Sequence, residues 1–187
     1  MKYMADLETY LQSYFGIPPH KLATVASFFK KEQLIKNEFY VKNGQYCRKL
    51  SFVRSGLLRV FASTERKEIT QWITTKDYFV TDLGSLFFDT PARWNIQALT
   101  DCELYTIQQH DFYNLNQVVP EWEKLQKLFI AKCFTTLEDR VFSFLSMTAE
   151  ERFNQLFATQ PELFNAVPLH YLASLLGMTP ETLSRIR

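Results

Sequence analysis

The spacing of apolar residues changes along this chain, and that change restricts the fold more than any other feature. Across residues 33–107 the apolar residues form short runs rich in Phe, Tyr, Val, Ile and Trp, interrupted by turn dipeptides such as Asn43-Gly44. Alternation with polar neighbours, as at Leu50 and Phe52, is typical of half-buried β-strands. We count eight candidate strands, which predict an antiparallel sandwich or roll.

Helical spacing precedes and follows this β region. Before it, apolar residues between Leu7 and Phe29 predict two short helices separated by residues 16–19. After it, apolar residues recur at intervals of three and four across residues 120–145, which predicts one long helix with Pro120 in its first turn. Its apolar stripe is broad, so one side can face the roll and another a second subunit. The residues that we assign to a dimer interface are Leu125, Phe129, Cys133, Leu137 and Val141.

Composition and charge exclude several classes of protein. The chain has 187 residues, of which 47% are hydrophobic, and this is enough to build a folded core. Its net charge is +1, so any DNA contact must come from locally placed cations. Cys47, Cys102 and Cys133 lie far apart, which predicts reduced thiols rather than disulfides or a zinc site. No run of about 18 apolar residues is present. We therefore expect a cytoplasmic protein with no membrane segment.

The end of the predicted long helix is followed by a separate helical unit. Thr148 and Glu151 have the spacing of a capping box, which marks the start of a new helix. We place the domain boundary at residues 146–147. The predicted organisation is thus a β-roll sensor domain with N-terminal helices at 1–119, a dimerisation helix and hinge at 120–146, and a DNA-binding domain at 147–187.

The final segment, residues 167–187, predicts two short helices joined by a tight turn. Gly177 can adopt a positive φ, and Thr179-Pro180 suits the cap and first turn of the second helix. Ala173 is small enough to lie where two helices cross closely, and Leu183 points back to the core. This pattern indicates a helix-turn-helix. An ordinary αα-hairpin could use the same alanine and glycine.

The polar face of the last helix favours the DNA-binding interpretation over the plain hairpin. Arg185 can make a bidentate contact to guanine, and Glu181 can accept a hydrogen bond from cytosine N4. Hydroxyl groups near the helix start suit phosphate contacts. The residues of this predicted DNA-binding surface are Thr179, Glu181, Thr182, Ser184, Arg185 and Arg187.

These motifs resemble the Crp/Fnr family, named for the cyclic-AMP receptor protein and the fumarate and nitrate reduction regulator. The closing Leu-Ala-Ser-Leu-Leu-Gly-Met-Thr-Pro-Glu-Thr-Leu-Ser-Arg-Ile-Arg looks like that family's helix-turn-helix, and residues 43–61 are similar to its cyclic-nucleotide-binding fold. The resemblance implies an α+β chain with an antiparallel β-roll (a double-stranded β-helix), flanking helices, a long dimerisation helix and a C-terminal winged-helix-type helix-turn-helix. It implies a bacterial transcription regulator whose partners are an inverted repeat in double-stranded DNA, a second copy of the chain and RNA polymerase. Because the chain stops at Arg187, before the rest of the recognition helix and the wing, we expect a truncated DNA-binding domain.

The resemblance weakens at the ligand site of the roll. Family members that bind cyclic nucleotides carry Gly-Glu-Leu followed by Arg-Ser/Thr-Ala, whereas this chain has Thr81-Asp82-Leu83-Gly84 and Ala92-Arg93-Trp94. We therefore expect neither a cyclic nucleotide nor any other defined cofactor. Asp82, Arg93 and Trp94 are predicted to line a pocket for another small-molecule effector. Alternatively, Trp94 fills the roll and Arg93 is solvated.

Two other functions are open at this stage. The roll could bind an effector and act through a protein partner, with a C-terminal hairpin that does not bind DNA. A cupin-like enzyme is a third hypothesis, but His20, His110 and His170 are isolated from one another. No set of residues with catalytic or metal-ligand spacing is found, so we predict a protein that is not an enzyme.

Overall fold

The structure is a computed structural model that describes the backbone of residues 2–187 and the side chains of residues 7–187. Two helices open the chain, α1 (Lys2–Phe15) and α2 (Pro19–Ala26). Gly16, with a φ of 71°, ends α1 in the left-handed conformation, and Pro19 occupies the first turn of α2. The predicted break between two short helices is confirmed.

Eight antiparallel strands follow in the described part of the chain, and they form two four-stranded sheets. The strand orders are β1-β8-β3-β6 and β2-β7-β4-β5. This architecture confirms the predicted antiparallel β-roll. The strands are β1 (Lys30–Leu34), β2 (Phe39–Val41), β3 (Lys49–Ser55), β4 (Leu58–Ser63), β5 (Glu68–Thr74), β6 (Phe79–Val80), β7 (Asn95–Ala98) and β8 (Cys102–Gln108).

The strand β3 is buried on both faces, which differs from the half-buried strand that its alternation predicted. Leu50 and Phe52 pack in one core cluster with residues of α1 and of the long helix. Ser51, between them, faces the interior of the roll and is also buried. Its hydroxyl is hydrogen-bonded to those of Tyr40 and Thr106, at 2.9 and 2.7 Å. A polar side chain is tolerated there because its hydrogen bonds are satisfied.

Aromatic rings fill the space between the roll and the helices. Phe15 stacks on Phe129 with ring centroids 4.5 Å apart and on Trp122 at 5.3 Å. The indole N–H of Trp122 donates to the carbonyl of Phe112 at 2.6 Å, so this buried donor is satisfied. Three short elements complete this layer, namely α3 (Leu83–Phe88), α4 (Gln109–Asn114) and the 3₁₀ turn Leu115–Gln117.

The predicted long helix is present as α5 (Trp122–Ser146). Pro120 precedes this helix and lies in the turn before it, so its expected place in the first helical turn was wrong. Met147 ends the helix with a ψ of 146°, an extended conformation. Over the described residues, no helix combines the length and the apolar character that crossing a membrane requires.

Four more helices follow Met147: α6 (Ala149–Thr159), α7 (Leu163–Ala166), α8 (Leu169–Leu175) and α9 (Pro180–Ile186). The predicted capping box is present at the start of α6, where Thr148 and Glu151 bond to each other's backbone N–H groups. These helices share one hydrophobic cluster with Leu57 and Ile73 of the roll. The C-terminal helices are therefore packed against the roll.

Candidate functional site

The last two helices meet around buried small and apolar residues. Ala173 and Leu183 are fully buried in the same cluster. The backbone N–H of Met178 donates to the carbonyl of Ala173 at 2.9 Å, and that of Gly177 donates to Ser174 at 3.1 Å, which closes the end of α8. Gly177 has a φ of 65°, as the turn requires. The predicted pair of short helices with a tight turn is present.

Thr179 caps the N-terminus of α9. Its hydroxyl oxygen accepts a hydrogen bond from the backbone N–H of Thr182 at 3.2 Å. Hydrogen bonds from the backbone N–H of Glu181 itself and from the Thr179 hydroxyl hold the pKa of the Glu181 carboxyl below its usual range. Thr179 and Thr182 thus form the N-terminal cap of α9. The Glu181 carboxyl is ionised at neutral pH and can accept hydrogen bonds.

The predicted DNA-binding residues lie together on the outer side of α9. Thr182 is half-buried, and the others are exposed, namely Thr179, Glu181, Ser184, Arg185 and Arg187. Within residues 7–187 the side chains of Arg185 and Arg187 have no hydrogen-bond or ion-pair partner. The two guanidinium groups are therefore available to a second molecule.

The charge around this surface is small. Residues 147–187 contain three arginines, four glutamates and no lysine. An anionic partner therefore meets few cations here, namely Arg185 and Arg187 and also Lys67 of the roll, which lines the same surface pocket as Thr179.

Two arginines connect the C-terminus of α8 to the preceding helices. Arg140 of α5 donates to the carbonyl of Leu175 at 2.7 Å, and Arg152 of α6 donates to that of Leu176 at 3.0 Å. Cations stabilise this end of a helix because its free carbonyls carry partial negative charge. Arg140 also lies 5.3 Å from the ring centroid of Trp72 in β5. Burial lowers the pKa of Arg140 to about 10, so it is charged at neutral pH.

Helix α8 itself packs on the roll. The hydroxyl oxygen of Ser174 accepts from the backbone N–H of Thr70 at 2.8 Å. Arg59, which is 1% exposed, lies 3.6 Å from the ring centroid of Tyr171 and is paired with Glu68 at 2.6 Å. The ion pair joins β4 to β5, and the contacts of Arg59 with Tyr171 and of Ser174 with Thr70 hold α8 on this part of the roll.

A cavity of about 350 Å³ lies between the roll and α5. The structure brings all three residues of the predicted effector pocket, Asp82, Arg93 and Trp94, to its wall. Trp94 is half-buried against the roll core and Arg93 is exposed, so the two side chains also fit the alternative of a packed tryptophan and a solvated arginine. Trp72, which contacts Arg140, lines the same cavity.

The five residues of α5 assigned to a dimer interface divide between two sides of the helix. Leu125 and Phe129 are buried in the core of their own subunit, so placing these two in a dimer interface was wrong. Cys133 is half-buried beside them. Leu137 and Val141 are exposed. The stripe advances by steps of four, which turn it about 40° each time. Leu137 therefore reaches only the edge of the cavity, and Val141 is exposed.

A different apolar stripe of α5 faces outward. Its members are spaced alternately by four and three residues, which is the heptad spacing of a helix–helix interface. This spacing is present in the sequence, but it overlaps the broader apolar stripe and was not distinguished from it. The exposed stripe consists of Ile130, Phe134, Leu137 and Val141.

Sequence reasoning missed three arginines, namely Arg59, Arg140 and Arg152. Arg140 and Arg152 bond to carbonyls 35 and 24 residues away, and no local spacing indicates such a pair. His20, His110 and His170 are all exposed. Within the described side chains, no three His, Cys, Asp or Glu residues lie close enough together to hold a metal ion.

Comparison with known proteins agrees with this architecture. Residues 31–117 match the family model of the cyclic nucleotide-binding domain. A search of curated protein sequences finds no significant match.

Solved structures extend the likeness beyond the roll. The c-di-GMP responsive global regulator CLP of Xanthomonas campestris has a TM-score of 0.69 and 18% identity over 90% of this chain and 89% of its own. FixK2 of Bradyrhizobium japonicum has a TM-score of 0.69 and 15% identity over 84% and 82% of the two chains. The Catabolite Activator Protein of Thermus thermophilus has a TM-score of 0.59 and 22% identity over 91% of this chain and 82% of its own. The expected cyclic-nucleotide-binding-like fold is thereby confirmed.

Proposed function

We propose that this chain is a sequence-specific DNA-binding transcription regulator that acts as a homodimer and reads the major groove with α9. The observation that carries the proposal is the exposed face of α9, on which Arg185 has no partner within the described chain and Glu181 lies one turn away. The fold shared with a global regulator and a catabolite activator supports the same function.

The side chains on this face divide into base and backbone contacts. Arg185 has the planar donors for a bidentate contact with O6 and N7 of guanine, and Glu181 is an ionised acceptor for cytosine N4. Arg187 and Ser184 are exposed and suit the DNA backbone, which sets the register of the helix in the groove. Thr179 and Thr182 orient the first turn of α9 through the cap.

A dimer supplies the second recognition helix. Two-fold dimers of this kind of reader bind half-sites about 34 Å apart, so their operators are inverted repeats. The exposed heptad stripe on α5 provides the surface for the second copy, because exposed apolar stripes of this length are buried in stable soluble proteins.

An effector in the cavity can act on α8 through a short path. Trp72 lines the cavity and contacts Arg140, and Arg140 donates to the carbonyl of Leu175 at the end of α8. A ligand that moves Trp72 therefore changes the support of α8 and with it the orientation of α9. This gives the cavity and the DNA-reading surface a physical connection.

Selection of bound sequences from random duplex DNA tests the proposal. The wild-type chain should enrich an inverted repeat. Arg185→Ala should lose about 1–3 kcal/mol of discrimination at one base pair per half-site, whereas the control Arg187→Ala should keep the motif and bind more weakly. Enrichment of no motif by the wild-type chain would refute DNA reading and favour a roll that acts through a protein partner.

A further inference from the structure

Six of the nineteen residues that line the cavity between the roll and α5 are aromatic. Its volume of about 350 Å³ is that of a small-molecule pocket. Rings in the wall of a pocket favour a flat ligand, because stacked and edge-to-face contacts add to the burial of apolar surface. The aromatic residues of the wall are Tyr14, Trp72, Tyr78, Phe79, Trp94 and Phe129.

The buried charge in this wall is Asp82, which is 3% exposed. One carboxylate oxygen accepts from the backbone N–H of Ser85 at 2.8 Å. The other accepts from those of Arg93 at 3.1 Å and Trp94 at 3.4 Å. Backbone N–H groups that converge in this way make an anion-binding site. Asp82 fills that site with the protein's own negative charge, so a second anion beside it is repelled.

The two cations in the cavity wall do not offset this charge inside the cavity. The ammonium group of Lys132 donates to the carbonyl of Ser13 at 3.2 Å and lies 4.2 Å from the ring centroid of Tyr14. The guanidinium of Arg93 is on the exposed rim, 5.3 Å from the ring centroid of Trp94. An anionic group that enters the cavity therefore meets no buried positive charge among the described lining residues.

The titratable groups on the α1 and α5 side of the cavity stay neutral. Burial raises the pKa of Tyr14 to about 12 and that of the Cys133 thiol to about 11. Both therefore remain protonated at neutral pH. Gln71, Thr74 and Thr136 add polar but uncharged groups to the wall.

We infer that this cavity binds an uncharged, planar aromatic molecule and excludes ligands that carry a phosphate. The inference rests on the proposed function in one respect, which is that the bound molecule acts as the effector of a DNA-binding regulator. The binding itself does not depend on DNA.

A matched pair of fluorescent probes tests the inference with the intact chain. N-phenyl-1-naphthylamine and 8-anilinonaphthalene-1-sulfonate share one aromatic framework and differ by a sulfonate group. The neutral probe should bind about ten-fold more tightly or better, because only the sulfonate is repelled by Asp82. Millimolar cyclic AMP should not displace it. Equal or tighter binding of the sulfonate, or displacement by cyclic AMP, would overturn the inference.

Two variants locate the probe. Thr136→Trp places a large ring at the exposed edge of the cavity and should abolish binding of the neutral probe, whereas Phe142→Ala on the exposed side of α5 should not change it. Unchanged binding by Thr136→Trp places the probe elsewhere and refutes the site. Asp82→Asn should raise the affinity of the sulfonate relative to the neutral probe, and if this variant does not fold, the comparison on the wild-type chain decides.

The outcomes separate the two proposals. Recovery of an operator motif together with failure of the neutral probe refutes the aromatic ligand alone. Binding of the neutral probe without any DNA motif refutes DNA reading alone.

Discussion

The ring of Phe144, near the end of α5, lies where a side chain on Gly177 would be, because a Cβ atom at position 177 would overlap Cε1 of Phe144. Gly177 also has a φ of 65°, which L side chains rarely adopt. The turn between α8 and α9 is thus held against the end of α5 by both its conformation and its packing. A displacement of this end of α5 therefore moves the turn that orients α9.

Substitution of this glycine should destabilise the protein more than substitution of an open one. Gly44 has a φ of 82° but no atom within 4 Å of an added Cβ, so Gly44→Ala should cost only the backbone strain, about 1–2 kcal/mol. Gly177→Ala should cost about 1–3 kcal/mol more, because Phe144 must also move. Urea unfolding of both variants measures the difference. Equal decreases in the free energy of unfolding would show that the Phe144 ring moves aside at no cost.

Arg140 should connect the cavity to α8, whereas Arg152 should only stabilise α8. Each arginine makes a charged hydrogen bond to a carbonyl at the end of α8, worth about 1.5–3 kcal/mol. Arg140→Met and Arg152→Met should therefore both speed hydrogen exchange in α8. Only Arg140 contacts Trp72 in the cavity wall. A cavity ligand should thus change exchange in α8 of the Arg152 variant but not of the Arg140 variant, and the reverse pattern would exclude this path.

The exposed stripe of α5 should be the dimer interface. Phe134 is 59% exposed within the subunit, so Phe134→Asp should leave the fold intact and place a carboxylate in the interface. Light scattering should then report a monomer. Phe88→Asp is the control, since Phe88 is 78% exposed on α3, and this variant should remain a dimer. A wild-type monomer at micromolar concentration would exclude the proposed interface.

The DNA affinity should depend only moderately on salt, because the C-terminal helices carry few cations. Each phosphate contact that is removed flattens the slope of log K against log salt by about 0.9, so Arg187→Ala should flatten it by about 2 in a dimer. Filter binding or fluorescence anisotropy across a salt series measures this slope. An unchanged slope would show that Arg187 lies away from the DNA backbone.

The capping box at α6 should contribute stability that depends on pH. Hydrogen bonds from the backbone N–H and hydroxyl of Thr148 hold the pKa of Glu151 below its usual range. The folded state thus favours the ionised carboxyl, and this contribution is present above the usual pKa of about 4.3 and lost as the pH falls through the lower folded value.

Glu151→Gln keeps the shape of the cap but cannot ionise. Its Tm should therefore fall less than that of the wild-type chain between about pH 5 and pH 3. Glu150→Gln, a neighbour whose side chain has no hydrogen bond within the described residues, should follow the wild-type curve. Parallel curves for all three proteins would contradict the role of Glu151 in the cap.

The features that could be predicted from the sequence depend on residues close together in the chain. The cap of Thr148 and Glu151, the positive φ of Gly177 and the cap of Thr179 each involve partners within four residues. Their geometry follows from local backbone rules, so it needs no knowledge of the fold. Hydrophobic periodicity determined the helices and strands for the same reason, since one period extends over only a few residues.

The tertiary structure alone decided which surfaces these elements present. The stripe on α5 predicted that Leu125 and Leu137 face the same partner, but docking against the roll buries the first and leaves the second exposed. Asp82 meets the backbone of Trp94, 12 residues away, and Ser174 meets that of Thr70, 104 residues away. Contacts at such separations depend on how whole elements pack, and no pattern within a short window contains that information.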